Sequence, residues 1–279
     1  MRLDEDFTKM KKREKNLNII RIITLALLPI SIFISCFSIY GTFGIIISFL
    51  SFSVVMSLIF GNKASFKEKI IPGLLDENLS FTVLDDQMNA VVLKSEIIQG
   101  KISLKILTND IINGYYNDIR FRSFDCVVSK RNYPFMKYLK DDLPSLFKGR
   151  FYQIKNKANI KNKVLFIHGE NNNLNKITTN HEIDKTFNIY AKDENISFLT
   201  NEFFDDLERI NKIVDGKMSL SLINGSIFVA INNNIDSFEL ENLDSISEVS
   251  KAYKHDLMIV EEINKAIKHI EVSSNESEV

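Results

Sequence analysis

Four histidines and the acids beside them are the residues of this 279-residue chain best suited to acid–base or metal chemistry. His168-Gly169-Glu170, with His181 further on, could offer two imidazoles and a carboxylate to a metal. Zinc sites are marked by knuckle or helical spacings that fix the ligands on one local element. The spacing here is neither, so His168 reads as the end of a strand and His181 as part of a polar loop. His255 and His269 fall on one C-terminal helix, where Lys254, Asp256, Lys268 and Glu271 suggest an exposed surface. Asp193-Glu194 reads as a hairpin turn and Asp205-Asp206 as a helix start, which explains both carboxylate pairs without chemistry.

Cys126 lies in an alternating stretch and reads as a small buried apolar group. Phosphate loops need clustered glycines, whereas Gly73, Gly100, Gly114, Gly149, Gly169, Gly216 and Gly225 stand apart. Phe147, Phe151 and Tyr152 beside Lys148 and Arg150 could stack and neutralise a single strand of nucleic acid. Strand alternation accounts for them more simply. The net charge of −1 also lacks the basic surplus that phosphate backbones demand, so nucleic acid is not an expected partner. No catalytic residue is identified, and no metal or cofactor is expected.

The elements that would position any such site follow from periodicity. Ser80 to Leu84, Ala90 to Leu93 and Ile102 to Leu107 read as strands or short helices. Ile119 to Ser129, Gly149 to Ile154, Lys163 to His168, Phe187 to Ala191 and Ile196 to Leu199 read as strands. Thr200 is an N-cap for a helix whose apolar face is Phe203, Leu207, Ile210 and Val214, ending near Asp215-Gly216. Met218, Leu220 and Leu222 alternate with serines before Asn224-Gly225, a type I′ turn signal, and Ser226 to Ile231 returns as the second strand of a hairpin. From Ser245 to Ile270 the stripe Val249, Tyr253, Leu257, Val260, Ile263, Ile267 and Ile270 predicts a long helix.

The N-terminal quarter is different in kind. From Ile22 to Asn62 no residue is charged, a run of 41 residues. A bilayer core of about 30 Å needs roughly 20 apolar residues per helix, so this length suits two spans. They are expected at about 19–39 and 43–60, with Tyr40-Gly41-Thr42-Phe43-Gly44 as the turn. A signal peptide has a much shorter apolar core. Ser31, Ser35 and Ser38, and Gly44, Ser48 and Ser51, form small-residue stripes suited to close helix packing. An ion path through them would need an ionisable group at mid-membrane. Arg2, Lys9, Lys11, Lys12, Arg13, Lys15 and Arg21 precede the first span, and Lys63, Lys67 and Lys69 follow the second. The positive-inside rule therefore predicts a multi-pass cell-membrane protein with both termini cytoplasmic. Two cysteines, one within the apolar run, make no disulfide framework and suit a reducing compartment.

The expected organisation is a lead at 1–17, a transmembrane helical hairpin at 18–61, a juxtamembrane linker at 62–77, an α+β domain at 78–272 and a polar tail at 273–279. The fold class is α+β: a two-helix membrane hairpin, then a mixed, largely antiparallel sheet with packed helices and a long C-terminal helix.

Several short segments, in this order, resemble a bacterial membrane family known as domain of unknown function 3137. They are Asn109-Asp110-Ile111-Ile112-Asn113-Gly114, Leu146-Phe147-Lys148-Gly149-Arg150-Phe151-Tyr152, Phe187-Asn188-Ile189-Tyr190-Ala191-Lys192-Asp193, Phe198-Leu199-Thr200, Ser226-Ile227-Phe228-Val229-Ala230-Ile231 and Phe238-Glu239. Lys/Asn-rich insertions at 155–163 and 171–176 depart from the pattern. The resemblance implies a double span, a cytoplasmic α+β domain and a membrane process shared with LemA-type proteins, and it supplies no functional residues. Two readings of function stand. One is a membrane-anchored interaction or scaffold module with the lipid bilayer and a membrane-associated protein as partners. The other is a membrane-bound hydrolase using an acid/His pocket.

Overall fold

The computed structural model describes residues 2–35, 39–98, 104–130, 145–155, 162–171, 173–223, 225–240 and 243–270. Its fold is α+β: two long apolar N-terminal helices precede a nine-stranded antiparallel sheet with helices. The chain divides into two compact units. One comprises Met1–Leu75 with Phe238–Ser250, the other Asp76–Ser237 with Lys251–Val279.

In the first unit, α1 (Arg2–Ser35) carries the basic lead and the first apolar stretch as one helix, and α2 (Ile39–Lys69) does the same for the second stretch and the first part of the linker. Tyr40–Gly44, expected as the turn, lies inside α2, and residues 36–38 lie outside the described residues. Continuing the helix through Gly41 and Gly44 keeps the backbone groups paired within the helix, at roughly 1 kcal/mol per glycine relative to alanine. Pro72–Leu74 forms a 3₁₀ turn shortly after α2. Near the polar ends Phe7 meets Phe66 edge-on at 6.0 Å, and the Asn62 side chain donates to the Met10 carbonyl at 3.1 Å. Further along, Leu17, Val55 and Ile59 form a small cluster. The apolar windows of the two helices are only 12% and 11% buried, with Ile22, Phe33, Phe43 and Ile47 all exposed. The side chains of Ser31 and Ser35, and Ser38 altogether, lie outside what is described.

In the second unit the strands are β1 (Leu79–Thr82), β2 (Leu104–Tyr116), β3 (Ile119–Lys130), β4 (Ser145–Lys155), β5 (Val164–Ile167), β6 (Asn175–Ile177), β7 (Asn188–Ala191), β8 (Lys217–Ile223) and β9 (Ser226–Asn232), in spatial order β1-β2-β3-β4-β9-β8-β5-β7-β6. Every pairing between these strands is antiparallel. The α-helices after α2 are α3 (Gln87–Ser95), α4 (Asn201–Ile213) and α5 (Ile246–Ile267), of which α5 joins this unit from Lys251 onward.

Alternation gives the sheet two faces. Phe124, Cys126, Phe151, Leu165, Phe228 and Ala230 point to one, where α3 adds Met88 and Val92. Phe166 points to the other and meets Phe203 and Phe204 of α4 at 6.0 and 6.3 Å. The predicted stripe of α5 is buried throughout. The β8–β9 hairpin closes on Gly225 at φ +66°, with Asn224 outside the described residues.

Three local expectations change. Ala90 to Leu93, open between strand and helix, belongs to α3. Ile196 to Leu199 is not a strand: Leu199 N–H bonds Ile196 C=O in a turn, leaving one isolated bridge to Ile270. β2 and β4 extend well past the apolar runs that signalled them, because ladder pairing with β3 carries them through polar residues. Residues 131–144 and 271–279, the latter including the polar tail at 273–279, lie outside the described residues.

Candidate functional site

Charged side chains gather where β2, β3 and β4 meet α5. A bulge between Asn109 and Ile112 interrupts the β2–β3 ladder, and Asp110 within it takes a left-handed φ of +55°. Aspartate tolerates that conformation better than most residues, and the Asp110 N–H finds the Val83 carbonyl at 3.0 Å. On β4, Gly149 precedes Arg150 and lies so close to β9 that a Cβ there would stand 2.1 Å from the Ile231 carbonyl oxygen. Only glycine fits there, and the β3–β4 register sets Arg150 opposite Asp125 of β3.

Arg150 is 3% exposed and uses its whole guanidinium. Nε and Nη2 donate to one Asp256 oxygen, Oδ2, at 2.9 and 2.6 Å; Nη2 also reaches Ser123 Oγ at 3.1 Å. Nη1 donates to the Asp110 carbonyl at 2.9 Å and lies 3.2 Å from Asp125 Oδ1. Asp256 projects from α5 and also accepts from Ser123 Oγ at 2.8 Å and from the Tyr152 hydroxyl at 2.7 Å. Asp125 Oδ2 accepts the Ser237 N–H at 3.1 Å. Carboxylate oxygens of Asp110, Asp125 and Asp236 lie within 4.8 Å of one another.

Burial opposes the Arg150 charge, but Asp256 and then Asp125 outweigh it and its pKa stands above the ordinary value. Asp125 is also pushed well up, first by burial, against the opposing pull of Arg150, and then by Asp236, with which it shares a hydrogen bond. Tyr152 is raised by burial and next by Asp256. An all-oxygen trio suits a hard cation in principle. Here the Arg150 guanidinium, 3.2 Å from Asp125 Oδ1, already meets part of its charge. The adjoining cavity, between Arg150, Asp256, His255 and Asp215, is about 100 Å³. At about 30 Å³ per water it has room for a few waters rather than a substrate. The arrangement ties α5 to the sheet and leaves Arg150 no free donor edge for a ligand.

His255 borders that cavity, and the other three histidines lie elsewhere. His168 and Glu170 share a cleft of about 280 Å³ with Phe147 and Lys217; His181 is not among its lining residues. The His168 ring rests on Phe187 with centroids 5.2 Å apart. His181 caps the 3₁₀ turn Glu182–Lys185, its Nδ1 accepting the Ile183 N–H at 3.1 Å, while Nε2 lies 3.3 Å from Asp205. His269 is 3.2 Å from Asp206, and Asp193 and Glu194 are exposed. Cys126 is buried, its thiol pushed up to about 12 by burial and then by Asp125. The aromatic–basic run at 147–152 is split by the sheet. Phe151 stacks on Phe124 at 5.2 Å on one face, while Arg150 and Tyr152 turn to α5 on the other.

Asp256 corrects the sequence reading most directly: expected on an exposed surface beside His255, it is 3% exposed. The available signal was its place in α5. It follows Tyr253 by three residues and precedes Val260 by four, so it shares their buried side of the helix.

A comparison with curated proteins finds no significant match. Among solved structures, the chain resembles the crystal structure of the mycobacterial trehalose monomycolate transport factor A, TtfA. That likeness is 7% in identity over 71% of this chain and 91% of the other, with a TM-score of 0.40. Residues 143–270, from β4 through α5, match the family described as protein of unknown function (DUF3137). The match over residues 143–270 is to the same domain of unknown function 3137 that the sequence segments resemble.

Proposed function

We propose that the protein is a membrane-anchored interaction or scaffold module that acts by binding rather than by chemistry. The observation that carries this reading is the exposed apolar surface of α1 and α2, whose 18-residue windows are 12% and 11% buried. Apolar side chains in that number leave water only against lipid or a partner. In this reading α1 and α2 form a transmembrane hairpin, the basic residues at both ends set both termini in the cytoplasm, and the sheet unit is held at the inner face. Tethering there raises its effective concentration toward a membrane-associated protein partner, of LemA type if the family resemblance extends to partners. A reporter fused after Val279 is expected to be active only in the cytoplasm, and alkaline carbonate is expected to leave the protein in the membrane pellet. Periplasmic reporter activity, or release by carbonate, would overturn the reading.

One observation favours a second reading, a hydrolase with an acid/His pocket: His168 and Glu170 line the same cleft beside Lys217. In that case His168→Ala abolishes function in cells while leaving the melting temperature unchanged. Under the first reading His168→Ala is silent.

A further inference from the structure

Near the β2–β3 turn the sheet face that carries Phe124 and Phe151 changes character. Beyond these aromatics the same face presents Arg122 and Arg120 on β3 and Gln153 and Lys155 on β4, with Arg122 and Gln153 paired in register. Lys94 of α3 closes the side, and together they line a recess of about 250 Å³ with no carboxylate among its lining residues. Lys155 Nζ lies 3.0 Å from the hydroxyl of Ser226, itself 2% exposed.

The chain has 35 basic and 36 acidic side chains and pairs many of them. Lys67 holds Glu239, Arg209 holds Asp206 and Glu262, Lys163 holds Glu96, and Lys265 holds Glu261 and Glu262. Among the described residues, none of Lys94, Arg120, Arg122 and Lys155 forms an ion pair. A solvated basic face would scatter such groups over a convex surface, whereas these four converge on one concavity. The dipole of α3 accounts for Lys94 in its last turn. It does not account for the three on the strands. Burial, and after it the charges of Lys94, Arg120 and Arg122, lower the Lys155 pKa.

We propose that this recess binds a multiply charged phosphate group, either on a soluble phosphate compound or on a phospholipid headgroup. Four cations call for more than one negative charge, which a lone carboxylate does not supply. Two arginines provide planar forks that match phosphate oxygens, and Lys155 and Lys94 add point charges. The recess is below the ~300–1,000 Å³ of typical small-molecule pockets, so it takes one or two phosphate groups rather than a whole nucleotide. This site lies within the sheet unit and does not depend on the anchor.

The test uses the full chain in an uncharged detergent at low ionic strength. Sodium pyrophosphate and dioctanoyl phosphatidic acid are titrated separately by calorimetry, with sodium acetate at matched ionic strength as control. Saturable binding of at least one phosphate probe is expected. Arg122→Gln and Lys155→Gln should each weaken it by about tenfold or more, the weight of a charge-assisted hydrogen bond. Their ligand-free melting temperatures should stay level or rise, because like-charge repulsion is relieved. Tighter binding of pyrophosphate supports the site and assigns it to a soluble phosphate; tighter binding of the lipid supports it and assigns it to a headgroup. No saturable binding of either probe, equal binding of acetate, or undiminished binding by both variants would overturn the proposal.

Discussion

Arg150 faces carboxylates on two sides, and the two sides are not equivalent. Asp256 takes two of its hydrogen bonds along with those of Ser123 and Tyr152, so its charge is spread over well-placed donors. Removing that charge with Asp256→Asn leaves the guanidinium short of its main partner and is expected to cost about 3–5 kcal/mol. The double variant Arg150→Met, Asp256→Leu should recover most of that loss, since apolar groups of similar volume often replace a buried pair without penalty. Urea unfolding of the two variants checks both statements, and equal destabilisation would contradict the argument. Asp125 behaves in the opposite sense, because its folded pKa is raised. As pH climbs past the unfolded carboxyl value, about 3.9, the unfolded chain gives up a proton that the folded chain retains. Stability therefore falls with rising pH until the folded group also ionises, and is untouched below that window. Asp125→Asn should flatten this decline in a series of thermal melts from about pH 4 upward; an unchanged slope would show that Asp125 is not its source.

At the scale of elements, α4 shows how far local signals reach. Its N-cap Thr200 accepts the Phe203 N–H at 3.3 Å as its sequence position indicated, and Phe203, Leu207, Ile210 and Val214 are all buried. Thr200 Oγ1 also donates to the His269 carbonyl at 2.9 Å, beyond α5, a tie that no local pattern carries. Thr200→Ala is expected to cost about 1 kcal/mol for the cap, and amide exchange should quicken in the first turn of α4 and around His269. Exchange confined to α4 would remove the second contact from the account. The strands were less legible for a physical reason. β4 places Arg150 amid apolar neighbours and β2 runs through Asn109-Asp110, so alternation breaks where the buried polar network begins. α3 was ambiguous because four apolar residues, Ala90 to Leu93, are too few to separate periods of 2 and 3.6.

At the scale of the molecule, the segment Phe238–Ser250 belongs with the N-terminal unit although it lies far along the chain. Lys67 pairs with Glu239 at 2.8 Å, and Lys11 donates to the Leu240 carbonyl at 2.7 Å. Burial favours the neutral form of Glu239, but the Lys67 hydrogen bond and the Lys63 charge prevail and lower its pKa. Phe238 and Leu240 are fully buried. A truncated chain beginning at Asp76 strips this segment of its partners and exposes both side chains. It is expected to elute as aggregate in size-exclusion chromatography without detergent, and a monodisperse monomer with an unchanged melting temperature would contradict that.

Residue order alone sufficed for features whose cause is local. A long uncharged run, a four-residue apolar stripe on α4, a seven-residue stripe on α5 and an Asn-Gly turn each act over a few turns or a few strand residues, so periodicity reports them directly. It also brought out the family resemblance of the C-terminal half. The chemistry-bearing residues were another matter. The histidines drew attention by type, yet His181 and His168 ended up against different neighbours. Asp256, Asp125 and Arg150 passed as surface or strand residues because the charge that balances each one comes from a distant part of the chain. The basic recess, likewise, exists only because antiparallel register aligns β3 with β4 under α3. A single charge costs little in water and several kcal/mol when buried, so its role depends on what the fold brings to it, and that is decided by long-range pairing.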